Sequence, residues 1–184
     1  MVTSMSRTTR TKPSTSIGVA NRLQTELAQR KNHAMSSFEI RSVTVADVMD
    51  SPRFEQMIAE YADECANPGM GVPKPNRLQY EAMANAGMLH ALGVYKDGEL
   101  VGFMSYLLTP MAHFSRCAAT TESLFLDPKY RHGLLGVRLI KTALKQAKSL
   151  GAVGLYVSAP AGSQLEKLAK ALRLKQTNVV FFAS

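Results

Sequence analysis

Residues 122–140 read ESLFLDPKYRHGLLGVRLI, and this stretch decides the fold. It begins in the last part of a strand predicted over 117–126, which Asp127 and Pro128 terminate. From residue 137 onward the apolar side chains recur at helical spacing, which predicts an amphipathic helix over 137–150. A loop with two glycines, residues 131–136, therefore connects a strand to the start of a helix.

A glycine-bearing loop at the start of a helix suits a bound pyrophosphate. It presents unpaired backbone N–H groups at the positive end of the helix dipole. Gly133 and Gly136 allow the backbone to approach the phosphate oxygens, and Arg131 adds a charged donor. The loop is not a Walker motif, because no Gly-Lys-Ser/Thr follows, and it does not match the dinucleotide pattern. Its spacing alone also fits an ordinary connection between a strand and a helix.

Upstream of this loop the chain predicts a strand followed by two helices. From residue 38 apolar and polar residues nearly alternate, as in a strand. Thr44 and Asp47 have the spacing of a capping box, so a helix follows, and Pro52 interrupts it before an apolar helical face resumes. Residues 67–76 are rich in proline and glycine and predict a loop long enough to line a site. A second helix is predicted over 77–87, with these residues inward: Leu78, Ala82, Met83 and Ala86.

Asp97-Gly98 predicts a tight turn between strands 92–95 and 100–104, which form a hairpin. Nearer the C-terminus, a short strand is predicted at 154–158 and a helix after the capping box of Ser163 and Glu166. A last strand is predicted at 178–182. In order, the chain is then strand, two helices, three strands, helix, strand, helix, strand. This alternation is too irregular for a barrel or a doubly wound fold. The sequence therefore predicts one α/β domain with a mixed sheet, residues 37–184.

Residues 122–140 resemble the acetyl-CoA motif of GNAT-superfamily N-acetyltransferases, and the order of elements around them is similar. The resemblance covers about residues 38–184 in layout and is specific in residues only over 124–139. It implies a mixed, mostly antiparallel sheet flanked by helices, acetyl-CoA as cosubstrate, and transfer of an acetyl group to an amine. It also implies two sets of cofactor-binding residues, a pantetheine strand and a pyrophosphate loop: Leu124, Phe125, Leu126, Arg131, His132, Gly133, Leu134, Leu135, Gly136 and Val137.

The sequence departs from the family pattern at three places. Gly133 comes one place early and Leu134 takes the usual glycine position, a variant that resembles phage and prophage members. Ala169 stands where many members have the tyrosine that protonates the departing thiolate. Arg173 replaces a turn glycine. From these departures we expect retained binding of acetyl-CoA and weakened catalysis.

Acetyl transfer needs a base for the proton of the amine, and Glu122 beside the proposed pantetheine strand is the best candidate. A solvent-facing glutamate on an alternating strand is the competing interpretation. In place of the missing tyrosine, Tyr130, Tyr156 or Ser158 are candidates for the acid. Tyr130 also fits a packing role under the loop, and Tyr156 a place in the core.

The net charge of +8 is concentrated in residues 1–36, which hold six basic side chains and one acidic side chain. This Ser/Thr/Arg-rich segment has little to bury, so we expect a largely disordered tail, with a short helix within 17–31. A nucleic-acid-binding arm, a transit peptide, a docking segment for an assembly and an inert extension all fit its composition. The alternative function is therefore a catalytically weak or inactive GNAT-like module, associated with a virion or a host, whose basic tail binds nucleic acid or a protein assembly.

Composition limits the remaining function classes. The chain has 184 residues, 46% of them apolar, which suits one domain with a sizeable core. No apolar run reaches the roughly 18 residues that span a bilayer, so we expect no membrane association. Cys65 and Cys117 stand alone, which predicts neither a disulfide framework nor a metal site and favours a reducing cytoplasm. For a phage-derived protein this means the host cytoplasm or the virion.

Overall fold

The computed structural model describes residues 38–65 and 69–183. The predicted basic tail, residues 1–36, and its short helix lie outside the described residues, as does part of the predicted 67–76 loop. In the part of the chain that is described, no helix is long and apolar enough to span a bilayer.

Strands and helices follow one another largely as predicted. In chain order the described elements are β1 Phe38–Val43, α1 Val45–Met49, α2 Phe54–Cys65, α3 Arg77–Asn85, β2 Leu89–Lys96, β3 Glu99–Met111, β4 Arg116–Leu126, α4 Leu135–Ser149, β5 Ala152–Tyr156 and α5 Gln164–Ala171, with 3-10 turns at Ala112–Phe114 and Pro128–Tyr130.

The strands form one mixed sheet in the order β1-β2-β3-β4-β5. The first four strands are antiparallel neighbours, whereas β4 and β5 are parallel. A parallel pair needs a crossover, and α4 provides it. The prediction of a mixed, mostly antiparallel sheet is confirmed.

Helices cover both faces of the sheet because successive strand residues point to opposite sides. In β3, Met104 packs with the α4 residues Leu139 and Ala143 in one core cluster. Its neighbour Phe103 packs with Met57 of α2 in a second cluster. The two layers of helices therefore hold the central strands from both sides.

Two local signals in the sequence correspond closely to the geometry. The Thr44 hydroxyl accepts the Asp47 N–H at 3.0 Å, while the Asp47 carboxylate accepts the Thr44 N–H at 2.8 Å. The capping box at the start of α1 is therefore complete. In the β2–β3 hairpin, Asp97 has φ 52° and Gly98 has φ 85°, as a tight turn of this kind requires.

The prediction of the buried side of α3 was wrong for Leu78, Ala82 and Ala86, which are exposed. Leu78 is 77% exposed, and no residue of this helix is fully buried. The half-buried residues include Tyr80 and Met83. Tyr80 turns inward because its hydroxyl bonds to a carboxylate on the sheet, and this leaves Leu78 on the outside.

Three predictions for the C-terminal part also need correction. The strand predicted at 154–158 lies at Ala152–Tyr156 and is only partly buried, with Val153 57% exposed. The Glu166 carboxylate accepts the Gly162 N–H, so Ser163 caps α5 without a reciprocal bond. Residues 178–182 form no strand and are exposed, because a strand-prone sequence needs a partner strand and none pairs with it in the described chain.

Candidate active site

The pairing between β4 and β5 stops about halfway along β4. The last paired residues are Thr120 and Tyr156, and just beyond them the Ser158 N–H donates to Thr121 Oγ1 at 2.7 Å. β4 continues to Leu126 with pairing only to β3. On the β5 side, residues 122–126 thus present main-chain N–H and C=O groups without a strand partner, as an edge strand does.

The side chains of Phe125 and Leu126 do not fill the opening between β4 and β5, because they are buried in the two core clusters. Leu124 is partly buried against the α4 side of the core. The free edge therefore offers mainly backbone to a ligand. An extended ligand with amide groups can pair with such an edge as an added strand does.

Glu122 is the extra residue of a β-bulge in β4. Thr121 pairs with Tyr106 and Ser123 pairs with Ser105, so Glu122 has no residue opposite it. A bulge bends its strand and re-aims the side chain of the extra residue. Glu122 is exposed, whereas Thr121 and Ser123 on either side of it are buried.

Hydroxyl groups from two other elements hold the Glu122 carboxylate. The Tyr80 hydroxyl of α3 donates to Oε1 at 2.6 Å, and the Ser105 hydroxyl of β3 donates to Oε2 at 2.7 Å. The Ser123 hydroxyl lies 2.7 Å from that of Ser105. Because the single hydrogen of Ser105 goes to Glu122, Ser123 is the donor in this contact.

The tyrosines beside Glu122 remain protonated over the physiological pH range. Burial raises the pKa of Tyr80, and its hydrogen bond to Glu122 raises it further. Burial likewise raises the pKa of Tyr61, with Cys65 and the charge of Glu122 adding to the effect. Tyr80 is therefore fixed as the donor in its bond to Glu122.

Arg131 ties the predicted pyrophosphate loop to the end of β4. Its Nε donates to the Leu126 carbonyl at 2.6 Å, and its Nη2 lies 2.6 Å from Glu64 Oε1 at the end of α2. The guanidinium carbon lies 5.6 Å from the centre of the Phe125 ring. In this structure the charged group holds the loop in place, so the N–H groups of the loop remain the main candidates for phosphate contacts.

The start of α4 keeps its first backbone donors free of side-chain caps. The helix begins at Leu135, and the N-cap residue Leu134 makes no capping hydrogen bond with its side chain. Gly133 has φ 86°, a left-handed conformation that favours glycine, and a Cβ there would meet nothing within 4 Å. These features fit a bound pyrophosphate.

Gly136 has a second reason to be glycine. A Cβ at this position would lie 3.1 Å from Leu168 Cδ2 of α5. The sequence analysis assigned Gly136 to the approach of phosphate oxygens alone. The structure adds close packing between the first turn of α4 and α5.

The three candidates for the general acid lie in different parts of the structure. The Tyr130 ring packs edge-on against Phe38 of β1, with ring centres 5.2 Å apart. Ser158 is exposed and lies where β4 and β5 separate, since its N–H bonds to Thr121. Tyr156, 39% exposed, is the last residue of β5. Of these three residues, Ser158 is the one that bonds to Thr121, the residue directly before Glu122 on β4.

The remaining predicted residues lie around the loop and on α5. His132 is exposed, and Val137 is half-buried in the first turn of α4. Ala169 is half-buried on α5, next in sequence to the Leu168 that contacts Gly136. No hydroxyl stands at position 169 to supply a proton.

Sequence reasoning missed Tyr80 and Ser105, the two donors to Glu122. Ser105 interrupts an otherwise apolar run in the hairpin, and Tyr80 is an aromatic residue with a polar tip on a helix of low apolar content. Each signal is weak alone. The pairing of these residues depends on the bulge in β4, which the sequence pattern does not reveal.

Comparisons with known proteins agree with this geometry. The family model described as the acetyltransferase (GNAT) family matches residues 54–171. No curated protein matches the chain.

Solved structures share the fold. A ribosomal-protein-alanine N-acetyltransferase from Brucella melitensis biovar Abortus 2308 is 18% identical, with a TM-score of 0.63 over 80% of this chain and 99% of the other. An aminoglycoside acetyltransferase from an uncultured soil metagenomic sample, in complex with sisomicin, is 16% identical, with a TM-score of 0.63 over 81% and 97%. AAC(6')-Iy, in complex with the bisubstrate analogue CoA-S-monomethyl-acetylneamine, is 18% identical, with a TM-score of 0.60 over 80% and 97%.

Proposed function

Because the chain belongs to the acetyltransferase (GNAT) family, whose members use acetyl-CoA as cosubstrate, we propose that Glu122 is the general base of an N-acetyl transfer at the opening between β4 and β5. The observation that carries this proposal is the bulge that presents Glu122 at the start of the free β4 edge. A base must lie within hydrogen-bond reach of the proton that it accepts, directly or through one water.

The main chain of Leu124, Phe125 and Leu126 would hold the amide-bearing pantetheine arm. The N–H groups of the loop and of the first α4 turn, from Gly133 to Val137, would hold the pyrophosphate. Arg131 keeps this loop in place through Leu126 and Glu64. When bound, acetyl-CoA supplies the acetyl group as a thioester.

An amine that is cationic in solution first gives one proton to water, and the neutral nitrogen then joins the acetyl carbonyl carbon while the C–S bond breaks. Glu122 takes the proton that the nitrogen loses. The sulfur leaves as a thiolate and needs a proton, and Ala169 cannot give one. Ser158 is the best placed of the predicted acids, since it lies at the separation of β4 and β5, and solvent water is the other source. We expect a modest turnover as a result.

The acceptor is proposed to be a cationic amine. Residues 38–127, which include α1 to α3 and Glu122, hold twelve acidic and six basic side chains. Residues 128–183, which include the phosphate loop and α4, hold ten basic side chains and one acidic side chain. This separation of charge suits a cation on one side and an anionic cosubstrate on the other.

The tail, residues 1–36, is proposed to bind nucleic acid or a protein assembly through its excess of basic side chains. Binding to nucleic acid would weaken steeply as salt rises, because condensed counterions are released from the phosphates. The measurement is binding to DNA and RNA at low salt, with and without these residues. Binding that survives the truncation would reject this role.

The test of the enzymatic proposal is CoA release against a panel of amines. General-base catalysis is worth about 100- to 10,000-fold, so Glu122→Gln should lower turnover on that scale while acetyl-CoA affinity stays near that of the parent. Glu39→Gln, a matched change at an exposed glutamate of β1, should retain turnover. Full turnover in Glu122→Gln with an accepted amine would show that Glu122 is not the base.

A further inference from the structure

Helix α3 is attached to the sheet with little apolar burial. It has no fully buried residue, and Leu78 is largely exposed. Its first residue, Arg77, bonds to Asp50 after α1 and to Glu81 within the helix. The hydrogen bond of Tyr80 to Glu122 joins α3 to β4.

This bond has a fixed direction. A carboxylate only accepts, and Tyr80 remains protonated, so the tyrosine hydroxyl always donates. Its length of 2.6 Å is typical of a hydroxyl bound to a charged oxygen. Ser105 donates to the other carboxylate oxygen, and Ser123 in turn donates to Ser105.

Two donors from two elements define the plane of the Glu122 carboxylate. A glutamate on a strand otherwise rotates freely about its terminal bond, because that torsion has only broad preferences. With Oε1 bound from α3 and Oε2 bound from β3, only lone pairs in the remaining directions are available to a substrate. Glu122 is nevertheless exposed, so these lone pairs are accessible.

We propose that Tyr80 is a positioning residue for the N-acetyl transfer: with Ser105, its hydroxyl fixes the Glu122 carboxylate in the orientation that takes the proton of the amine. This inference rests on the proposed function of Glu122. It makes α3 part of the catalytic apparatus, although no residue of that helix belongs to the acetyl-CoA motif. A change in the position of α3 would then alter the rate of transfer.

The experiment compares Tyr80→Phe with the parent, with an accepted amine as substrate. Losing one hydrogen bond to a charged group should lower kcat by about 10- to 100-fold. The KM for acetyl-CoA should stay unchanged, because the orientation of the carboxylate affects the amine and not the cosubstrate.

Controls separate this role from a structural one. Tyr95→Phe removes a tyrosine hydroxyl from β2, where the ring contacts Arg41, and should leave kcat unchanged. Ser105→Ala should lower kcat as Tyr80→Phe does, with the KM for acetyl-CoA unchanged. In a Glu122→Gln background, Tyr80→Phe should cost much less than it does in the parent.

The outcomes distinguish the two proposals. If Glu122→Gln loses turnover but Tyr80→Phe keeps the kcat of the parent, the positioning role is overturned and the base stands. If Tyr80→Phe lowers kcat as much in the Glu122→Gln background as in the parent, its effect is structural and the positioning role is again overturned. If Glu122→Gln keeps full turnover, the proposed function itself fails.

Discussion

Asp127 shows how a single residue links the candidate site to the core. Its carboxylate lies 2.8 Å from Arg53 Nη2, accepts the Lys129 N–H at 3.0 Å, and follows directly after β4. Burial by itself would raise the pKa of Asp127, but the hydrogen bonds from Arg53 and Lys129 outweigh it and hold that pKa below its usual range. The ion pair of Asp127 with Arg53 links the start of α2 to the beginning of the loop that precedes α4.

We expect Asp127→Asn to lower the free energy of unfolding by about 1–3 kcal/mol at neutral pH, because it leaves the buried Arg53 cation without its main carboxylate. Since the folded-state pKa is depressed, the stabilisation is complete above the unfolded pKa of about 4 and is lost as pH falls through the folded-state value. Denaturant titrations at several pH values measure this.

The difference between parent and Asp127→Asn should therefore narrow below about pH 4. Asp63→Asn, at an exposed position of α2, is the control and should change stability little at any pH. A difference that is constant from neutral to acidic pH would mean that the charge of Asp127 does not stabilise the fold.

At the scale of elements, short-range signals were predictable and packing was not. The capping box of Thr44 and Asp47 and the Asp97-Gly98 turn depend on neighbours a few residues apart, so the sequence pattern reveals them. The inward side of α3 depends on Glu122, forty-two residues away from Tyr80. The predicted strand at 178–182 failed because strand propensity is realised only against a partner strand.

The same limit applies to the candidate site. The connection from Arg131 to the start of α4 could be predicted because a glycine-bearing loop before an amphipathic helix is a local signal in the sequence. The donors to Glu122 could not, because a β-bulge shifts the register between β3 and β4 at that point. The sequence analysis explained Gly136 only by the approach of phosphate oxygens. Its packing against Leu168 could not be predicted, because that contact depends on where α5 lies.

The C-terminal end of α5 carries local backbone strain. Arg173 stands where many family members have a turn glycine, and its φ angle is 54°. The Leu174 N–H donates to the Ala169 carbonyl at 3.0 Å. This is the left-handed conformation in which many helices end with glycine. A non-glycine residue adopts it at a cost of about 1–2 kcal/mol.

Arg173→Gly should therefore raise the free energy of unfolding by about 0.5–1 kcal/mol, after allowance for the greater freedom of glycine in the unfolded chain. Lys170→Gly, within the same helix, should lower it by about as much, because its backbone is helical. Thermal and denaturant unfolding of both variants measure the contrast. A loss of stability in Arg173→Gly would mean that the arginine side chain contributes more than the backbone strain costs.

At the scale of the whole molecule, the β4–β5 opening lies where an acidic part of the sequence, residues 38–127, is followed by a basic part, residues 128–183. β4 ends the acidic part of the chain at Asp127, and the basic part begins with the loop that precedes α4. The separation of β4 from β5 leaves residues 122–126 without a strand partner on that side, with Glu122 at the start of this stretch and the uncapped first turn of α4 beyond its end. This order along one edge suits the proposed binding of an extended, anionic cosubstrate.

Hydrogen exchange of backbone amides with and without saturating acetyl-CoA tests this arrangement most directly. We predict slower exchange for those amides of residues 122–126 that face away from β3 and for the loop and first α4 turn, residues 133–137. Amides of the β2–β3 hairpin turn at Asp97 and Gly98 should not change. Slower exchange at another surface, with no change in the exchange rates of residues 122–126 and 133–137 at saturation, would contradict the proposed binding of acetyl-CoA along this edge.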